Sequence, residues 1–250
     1  MDFYSFAPIA AVLDAAYAVV TALADLVEPL AGSAAAAVAI VLVTLIVRSL
    51  LIPVGVSQVR ADYTRRRLAP RLQELQRRYK KKPEVLQRKT LELYAAEKAS
   101  PFAGILPALA QAPVLSIVYG LFTQPTINGH ANALLMQHLG GVPLGSSLVS
   151  LVGGAFWPGV MVFVVLLALI AVVAWFSRRV QLRLATPPTD DAPAVLRTMT
   201  AWLSWLPFIA VVFAAVVPLA ATLYLAVSTT WTLVERIILR RLLRPSVQTV

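Results

Sequence analysis

One charge interrupts an otherwise apolar run. Between Ala34 and Val56 every residue is apolar or small except Thr44, Arg48 and Ser49, so Arg48 sits where a membrane span is expected. A guanidinium stays protonated in any protein, and at a helix centre in the bilayer it costs at least about 2.5 kcal/mol even on insertion scales. What it offers is a permanent positive charge with several N–H donors, suited to holding a carboxylate. The plainer account is snorkelling. Arg48 precedes Val56 by eight residues, roughly 12 Å at about 1.5 Å per residue, so a long side chain in a tilted helix reaches part of the way to the headgroups.

Other polar groups also lie in apolar surroundings. Gln111 stands between Pro107 and Pro113, and each proline removes a helix hydrogen bond and frees a carbonyl that a side-chain amide can satisfy. Tyr224, Ser228 and Thr232 recur at a spacing of four and share one helix face, from which they can hydrogen-bond to neighbouring helices. His130 and His138 fall in a Gly-rich stretch without other ligand types nearby, so a solvated loop is expected rather than a metal pair. The chain has no cysteine, which excludes thiolate catalysis, disulfides, thiol metal sites and acylation of a lipoprotein cysteine. A serine nucleophile would lack a histidine base at membrane depth, and there is no GxxxxGK[ST] loop for nucleotide hydrolysis. The expectation is a protein that is not an enzyme and needs no metal or cofactor.

The elements that must position these groups are membrane helices. Of 250 residues 59% are hydrophobic and only 14% charged, and the mean hydropathy is +0.76, far too apolar for a soluble domain of this length. A span needs roughly 20 predominantly apolar residues. Ala34 to Val56, Phe102 to Gln124 and Trp157 to Phe176 qualify, and the run from Met199 to Val234 is long enough for two spans, divided at Pro218 by a tight turn. Five crossings are expected. Phe6 to Ala24 carries Asp14 at its middle with no basic partner, and it reads as an amphipathic helix on the bilayer surface, with a sixth span as the alternative. The acidic residue near the amino terminus argues against a cleaved signal peptide.

Charge distribution fixes the expected orientation. Of the 22 Lys and Arg, thirteen lie between Arg60 and Lys98, four between Arg178 and Arg197, four between Arg236 and Arg244, and the last is Arg48. With five spans the three basic regions share one side, which the positive-inside rule makes cytoplasmic. The amino terminus is then outside and the carboxy terminus inside. In the first basic region Leu68, Leu72, Leu75 and Tyr79 recur at helical spacing, "KKKPE" supplies a turn with Pro83 opening a second helix, and Leu86, Leu93 and Tyr94 mark its return. This predicts a cytoplasmic helical hairpin with a thin apolar seam. Its charge, including Arg65, Arg66 and Arg67, orients the protein and binds lipid headgroups, or forms a docking surface for an anionic partner such as ribosomal RNA or a targeting complex.

Four strings, "VRSLLIP", "LAPRLQELQRRY", "LELYAAEKASPFAGILPALAQAPVLSIVYGLF" and "VPLAATLYLAVSTTWTLVERIILRR", resemble successive landmarks of the YidC family of membrane protein insertases, in the same order and over residues 34 to 243. The resemblance implies an all-α polytopic membrane protein. Residues 1–33 would hold an outer amphipathic helix, and residues 34–250 a five-span insertase core that includes a cytoplasmic hairpin over 58–100. It also implies a hydrophilic groove open to the cytoplasm and to lipid but closed towards the outside, with Arg48 facing into it. Gln111, Tyr224, Ser228 and Thr232 would then line the groove, or act as structural hydrogen-bonding groups. Two positions depart from the family pattern: Ala220 stands after the turn before the last span where a glycine is common, and Leu225 where a tryptophan is common. No polar residue occurs from Met161 to Ala174, which implies a less polar groove. The function implied is insertion of nascent transmembrane segments into the plasma membrane. Partners would be nascent membrane proteins and the lipid bilayer, with the ribosome, the signal recognition machinery and the Sec translocon as further ones. The alternatives are an assembly chaperone of the same fold and a secondary transporter, against which the lack of an internal repeat counts.

Overall fold

The computed structural model describes residues 6–100, 116–184 and 204–243, together with Tyr4 and Trp202. Among the described residues two helical runs, Ala7–Leu50 and Trp157–Arg183, are long and apolar enough to cross a bilayer, and Leu206–Val216 is a shorter apolar helix. The first run is two helices. Helix α1 (Ala7–Ala31) ends at Gly32, whose φ of +52° is a left-handed conformation that glycine adopts without a Cβ penalty. A single 3₁₀ turn then leads into α2 (Ala35–Leu50). The two helices pack together, with Leu13 and Val20 of α1 buried in the same cluster as Ala36, Ala37, Ala39 and Ile40 of α2. Val12, Val19, Leu26 and Leu30 on α1 stay exposed.

A break at Leu51 separates α2 from α3 (Ile52–Arg78). Pro53 has no N–H to continue the ladder, and the Leu51 N–H closes the preceding helix on the carbonyls of Val47 and Arg48. The first hairpin arm therefore begins inside the segment expected to be the first span. It runs to Arg78, and the second arm, α4 (Pro83–Ala96), opens on Pro83 as expected. The seam is thin: Leu68 is buried, α4 has no buried residue, and both Arg67 and Arg71 bind Glu97 across it.

The second expected span is described only from residue 116 onward, as a helix α5 over 116–123. The connection that follows is more ordered than its glycine content suggested. Two antiparallel pairs, β1 (Thr126–Ile127) with β2 (His130–Ala131) and β3 (His138–Leu139) with β4 (Val142–Pro143), flank a 3₁₀ turn. Ile127, Leu134, Val142 and Leu144 are buried beneath them. The buried Asn132 amide donates to the carbonyls of Leu121 (2.8 Å) and Gln124 (3.0 Å), capping the end of α5. Both histidines are exposed on the strands, and the described residues contain no cluster of metal-ligating groups.

Short α6 (Leu148–Gly153) starts on a Ser147/Ser150 capping box and leads to α7 (Trp157–Leu184), which outlasts the expected span by a further two turns. Helix α8 (Ile209–Val216) stops at extended Val217, Pro218 makes the expected tight turn, and α9 (Leu219–Leu242) follows. The first N–H groups of α9 have no partner within the helix. Those of Leu219 and Ala220 donate to the carbonyls of Ser146 (2.8 Å) and Leu144 (2.9 Å), so the loop closes over the start of α9.

Candidate groove between α2, α3 and α9

Helices α2–α3 and α9 run side by side in the same direction, and three contacts, seven residues apart on α2–α3, mark their seam. Arg48 on the last turn of α2 donates to the Ser228 hydroxyl of α9. Gly55 meets Glu235. Asp62 binds Arg240, and the neighbouring Tyr63 hydroxyl donates to the Arg240 carbonyl at 2.9 Å. The spacing of 48, 55 and 62 on α2–α3 and of 228 and 235 on α9 is the 3.5-residue repeat that keeps two helices facing each other.

Two cavities open along this seam, and Arg48 lines both. One, of about 400 Å³, lies between α3 and α9 and is lined by Arg48, Gly55, Gln58, Asp62, Glu235 and Arg236 among others. The second, of about 220 Å³, lies between α7, the α8 region and α9, where Arg48, Ser228 and Thr232 face Ile170, Val173 and Ala210. One cavity is therefore charged, while the other sets the same arginine against apolar walls. Beyond Arg48 towards the loop the packing is closed. Thr44 is buried with its hydroxyl on the Ile40 carbonyl (2.6 Å), and Ala36, Ala37, Ala39 and Ile40 pack in one cluster with Leu219 to Ala221 and Tyr224.

The expected site residues separate into three groups. Arg48, Ser228 and Thr232 come together at the cavities, with the Thr232 hydroxyl on the Ser228 carbonyl at 2.8 Å. Tyr224, one turn outward, lines neither cavity; it is buried, with its ring tilted against Phe122 at 6.2 Å between centroids. Gln111 lies outside the described residues. On the hairpin Arg65 is exposed at the rim of the charged cavity, Arg66 approaches Asp62 at 3.8 Å, and Arg67 binds Glu97 at 3.0 Å.

Sequence reasoning missed Glu235, Gly55 and the Asp62–Arg240 pair. Glu235 directly follows Val234, where the last span was taken to end, and the signal available was its spacing of seven from Ser228. Burial pushes the Arg240 guanidinium down from its ordinary value, and the Asp62 carboxylate opposes that shift. At the far end of α7, Arg178 stacks over Trp205 (4.2 Å to the ring centroid) and Arg179 over Trp175 (5.1 Å). Cations over tryptophan faces are typical of the membrane interface.

Apolar helices with exposed aliphatic faces, enclosing cavities that hold an arginine, define a helical membrane protein with a polar recess. The chain matches the family described as 60Kd inner membrane protein over residues 27–246, and it belongs to that family. It is 36% identical to a membrane protein insertase YidC of Clostridium perfringens over 86 residues, 34% of this chain and 36% of the relative. Over 98 residues it is 37% identical to the YidC insertase of Oceanobacillus iheyensis, covering 37% of this chain and 39% of that one. The match to the chloroplastic inner membrane protein ALBINO3 of Arabidopsis thaliana is longer, 28% identity over 221 residues, 82% of this chain and 46% of the relative. The chain thus spans less than half the length of these curated relatives.

Proposed function

We propose that this protein is a membrane protein insertase, in which the recess around Arg48 receives a nascent transmembrane segment and releases it into lipid. The observation that carries the reading is the placement of one arginine at the junction of a charged and a largely apolar cavity, with closed packing beyond it. An acidic or polar flank of the incoming chain is held at Arg48, Ser228 and Thr232, while its apolar part lies along α7 and α9. Tyr224 and the packed alanines close the outer end. The drive is transfer of apolar surface to lipid, about 0.8 kcal/mol per buried CH₂, assisted by the membrane potential at about 2.3 kcal/mol per charge per 100 mV. Low-dielectric walls strengthen the hold of one guanidinium on a carboxylate. Transient capture suits a catalyst of translocation, for which tight binding would only slow release.

In this reading the chain crosses the plasma membrane five times, with its amino terminus outside and its hairpin and carboxy terminus in the cytoplasm. The hairpin arginines Arg65, Arg66 and Arg67 meet the ribosome or the signal recognition machinery, and the Sec translocon is a further partner. The names of the relatives support the assignment, as does the concentration of basic residues in the hairpin. The test is rescue: cells depleted of their own insertase should insert a short single-span substrate when this chain is expressed. Failure to rescue, with the protein present in the membrane, would leave the assembly-chaperone reading in its place.

A further inference from the structure

We propose that Glu235 is a second binding point of the groove, an acceptor that takes a hydrogen-bond-donating side chain of the incoming segment, above all a lysine ammonium or an arginine guanidinium. The proposal rests on the insertase reading and adds to it the substrate pattern the groove selects. Glu235 lines the same cavity as Arg48. It stands seven residues beyond Ser228, the hydroxyl that marks the level of Arg48 on α9, which is about 10 Å at about 1.5 Å per residue.

Three features set this carboxylate apart. Its Oε1 is buried and makes no hydrogen bond of ordinary geometry. Among the described residues the only donor of this chain that approaches the carboxyl is the Trp231 indole N–H one turn back on α9, also buried without a partner, which an incoming donor would have to outcompete. The oxygen is seated against Gly55, where an added Cβ would fall 2.0 Å from Oε1 and 3.0 Å from the carboxyl carbon, so the absence of a side chain at position 55 is what admits it. Among the described residues no lysine or arginine lies within ion-pair distance of it, whereas Asp62, the other acid of the cavity, is already held by Arg240 and Arg66. The remaining charged groups of the cavity are Arg48, Arg65, Arg236 and Arg240, and a guanidinium donates but never accepts. A polar segment entering the membrane brings donors as well as acceptors, and donors left unpaired there are costly. Glu235 supplies the acceptor that the arginines cannot. A segment with an acidic residue at Arg48 and a donor residue two turns away satisfies both ends of the recess.

The test uses the full chain reconstituted in vesicles and a set of single-span substrates. One carries a lone Asp in its polar flank; two more carry the same Asp with a Lys seven residues before or after it. The wild-type protein should insert one of the Asp–Lys substrates about threefold to tenfold faster than the lone-Asp substrate. In Glu235→Gln that ratio should fall to near one. Gly55→Ala, which must displace the carboxylate, should lower it as well, but should have no further effect on the ratio in the Glu235→Gln background. An unchanged ratio in Glu235→Gln, with insertion still readily measured, would overturn this inference and leave the insertase reading intact. If the wild-type protein inserts none of the substrates, both fall.

Discussion

Replacing Arg48 by alanine separates capture from folding, because the structure gives it opposing effects on stability. The variant loses the charged hydrogen bond to the buried Ser228 hydroxyl, worth about 1.5–3 kcal/mol. It also removes a guanidinium from a helix in an apolar run, which costs about 2.5–3.5 kcal/mol at a helix centre. The two largely offset each other, so the folded protein should change by no more than about 2 kcal/mol. Capture has no such compensation. A carboxylate about 5 Å from the guanidinium at an effective dielectric constant of about 20 gains about 3 kcal/mol, and water in the cavities reduces this to about 1–2 kcal/mol. Insertion of a substrate with an acidic outer tail should therefore slow about tenfold, while a substrate with a neutral tail should be slowed far less. Arg48→Lys keeps the charge but not the fork that reaches Ser228, and should retain part of the rate. Protease protection of the translocated tail in reconstituted vesicles gives the rates, and thermal denaturation in detergent gives the stability. Equal rates for wild type and Arg48→Ala on several acidic-tailed substrates would refute capture by charge and return Arg48 to snorkelling.

Three further outcomes are expected. Changing Arg65, Arg66 and Arg67 together to Gln should weaken co-sedimentation with ribosomes, and the wild-type association should itself fall steeply with added salt as phosphate contacts require; unchanged sedimentation at low and physiological salt would count against docking through these residues. Asn132→Ala leaves the Leu121 and Gln124 carbonyls without their side-chain donor, and should cost about 1–3 kcal/mol in a detergent melt, with a negligible loss pointing to replacement by water. In a chain without cysteine, Ser5→Cys and Asn128→Cys should react with an impermeant thiol reagent on intact cells, and Ser100→Cys and Thr189→Cys only in opened membranes. Asn128 is the better outer probe because it is exposed, whereas Asn132 in the same loop is buried. Outside labelling at position 100 or 189 would overturn the five-span arrangement.

The parts of this fold that depend on local chain chemistry were legible in the sequence. Pro83 opened α4 and Pro218 divided α8 from α9, because proline acts on its own backbone whatever surrounds it. The thin seam of the hairpin followed from its few leucines. What pattern reading could not supply was which faces meet. Tyr224 shares a helix face with Ser228, yet Phe122 from α5 covers it, and nothing in the spacing of α9 encodes the position of α5. The loop between α5 and α6 looked solvated because glycines and polar residues dominate it. Its four buried aliphatics and the Asn132 cap become visible only once the loop is seen to receive the N–H groups of Leu219 and Ala220. Glu235 was overlooked for a related reason: hydropathy ends a span at the first charge, whereas the seam between helices continues past it.

The difference between the closed end of that seam, beside the β-stranded loop, and its open end, beside the hairpin, follows from side-chain size along it. At the closed end α2 presents Ala35, Ala36, Ala37 and Ala39, and α9 presents Ala220 and Ala221, all buried. Small residues let helix backbones approach closely, the usual basis of helix association in membranes. About two turns along the seam the facing positions begin with Arg48, and two to three turns beyond it come Gln58, Glu235 and Arg236, long polar chains that cannot interdigitate without burying charge, and the cavities lie there. The Asp62–Arg240 pair and the Tyr63 hydroxyl then tie the helices together again beyond the charged cavity. The recess thus lies between two tied stretches of the α2–α3/α9 seam, the packed alanines on one side and the Asp62–Arg240 pair on the other. Enlarging the alanines of the closed end should part the helices there and, in the proposed five-span arrangement, admit water from outside, so Ala36→Leu with Ala220→Leu should make a cysteine at Thr44 reactive to an impermeant reagent on intact cells. Continued protection of that cysteine in the double variant would show that the closed end does not depend on small residues at the α2–α9 contact.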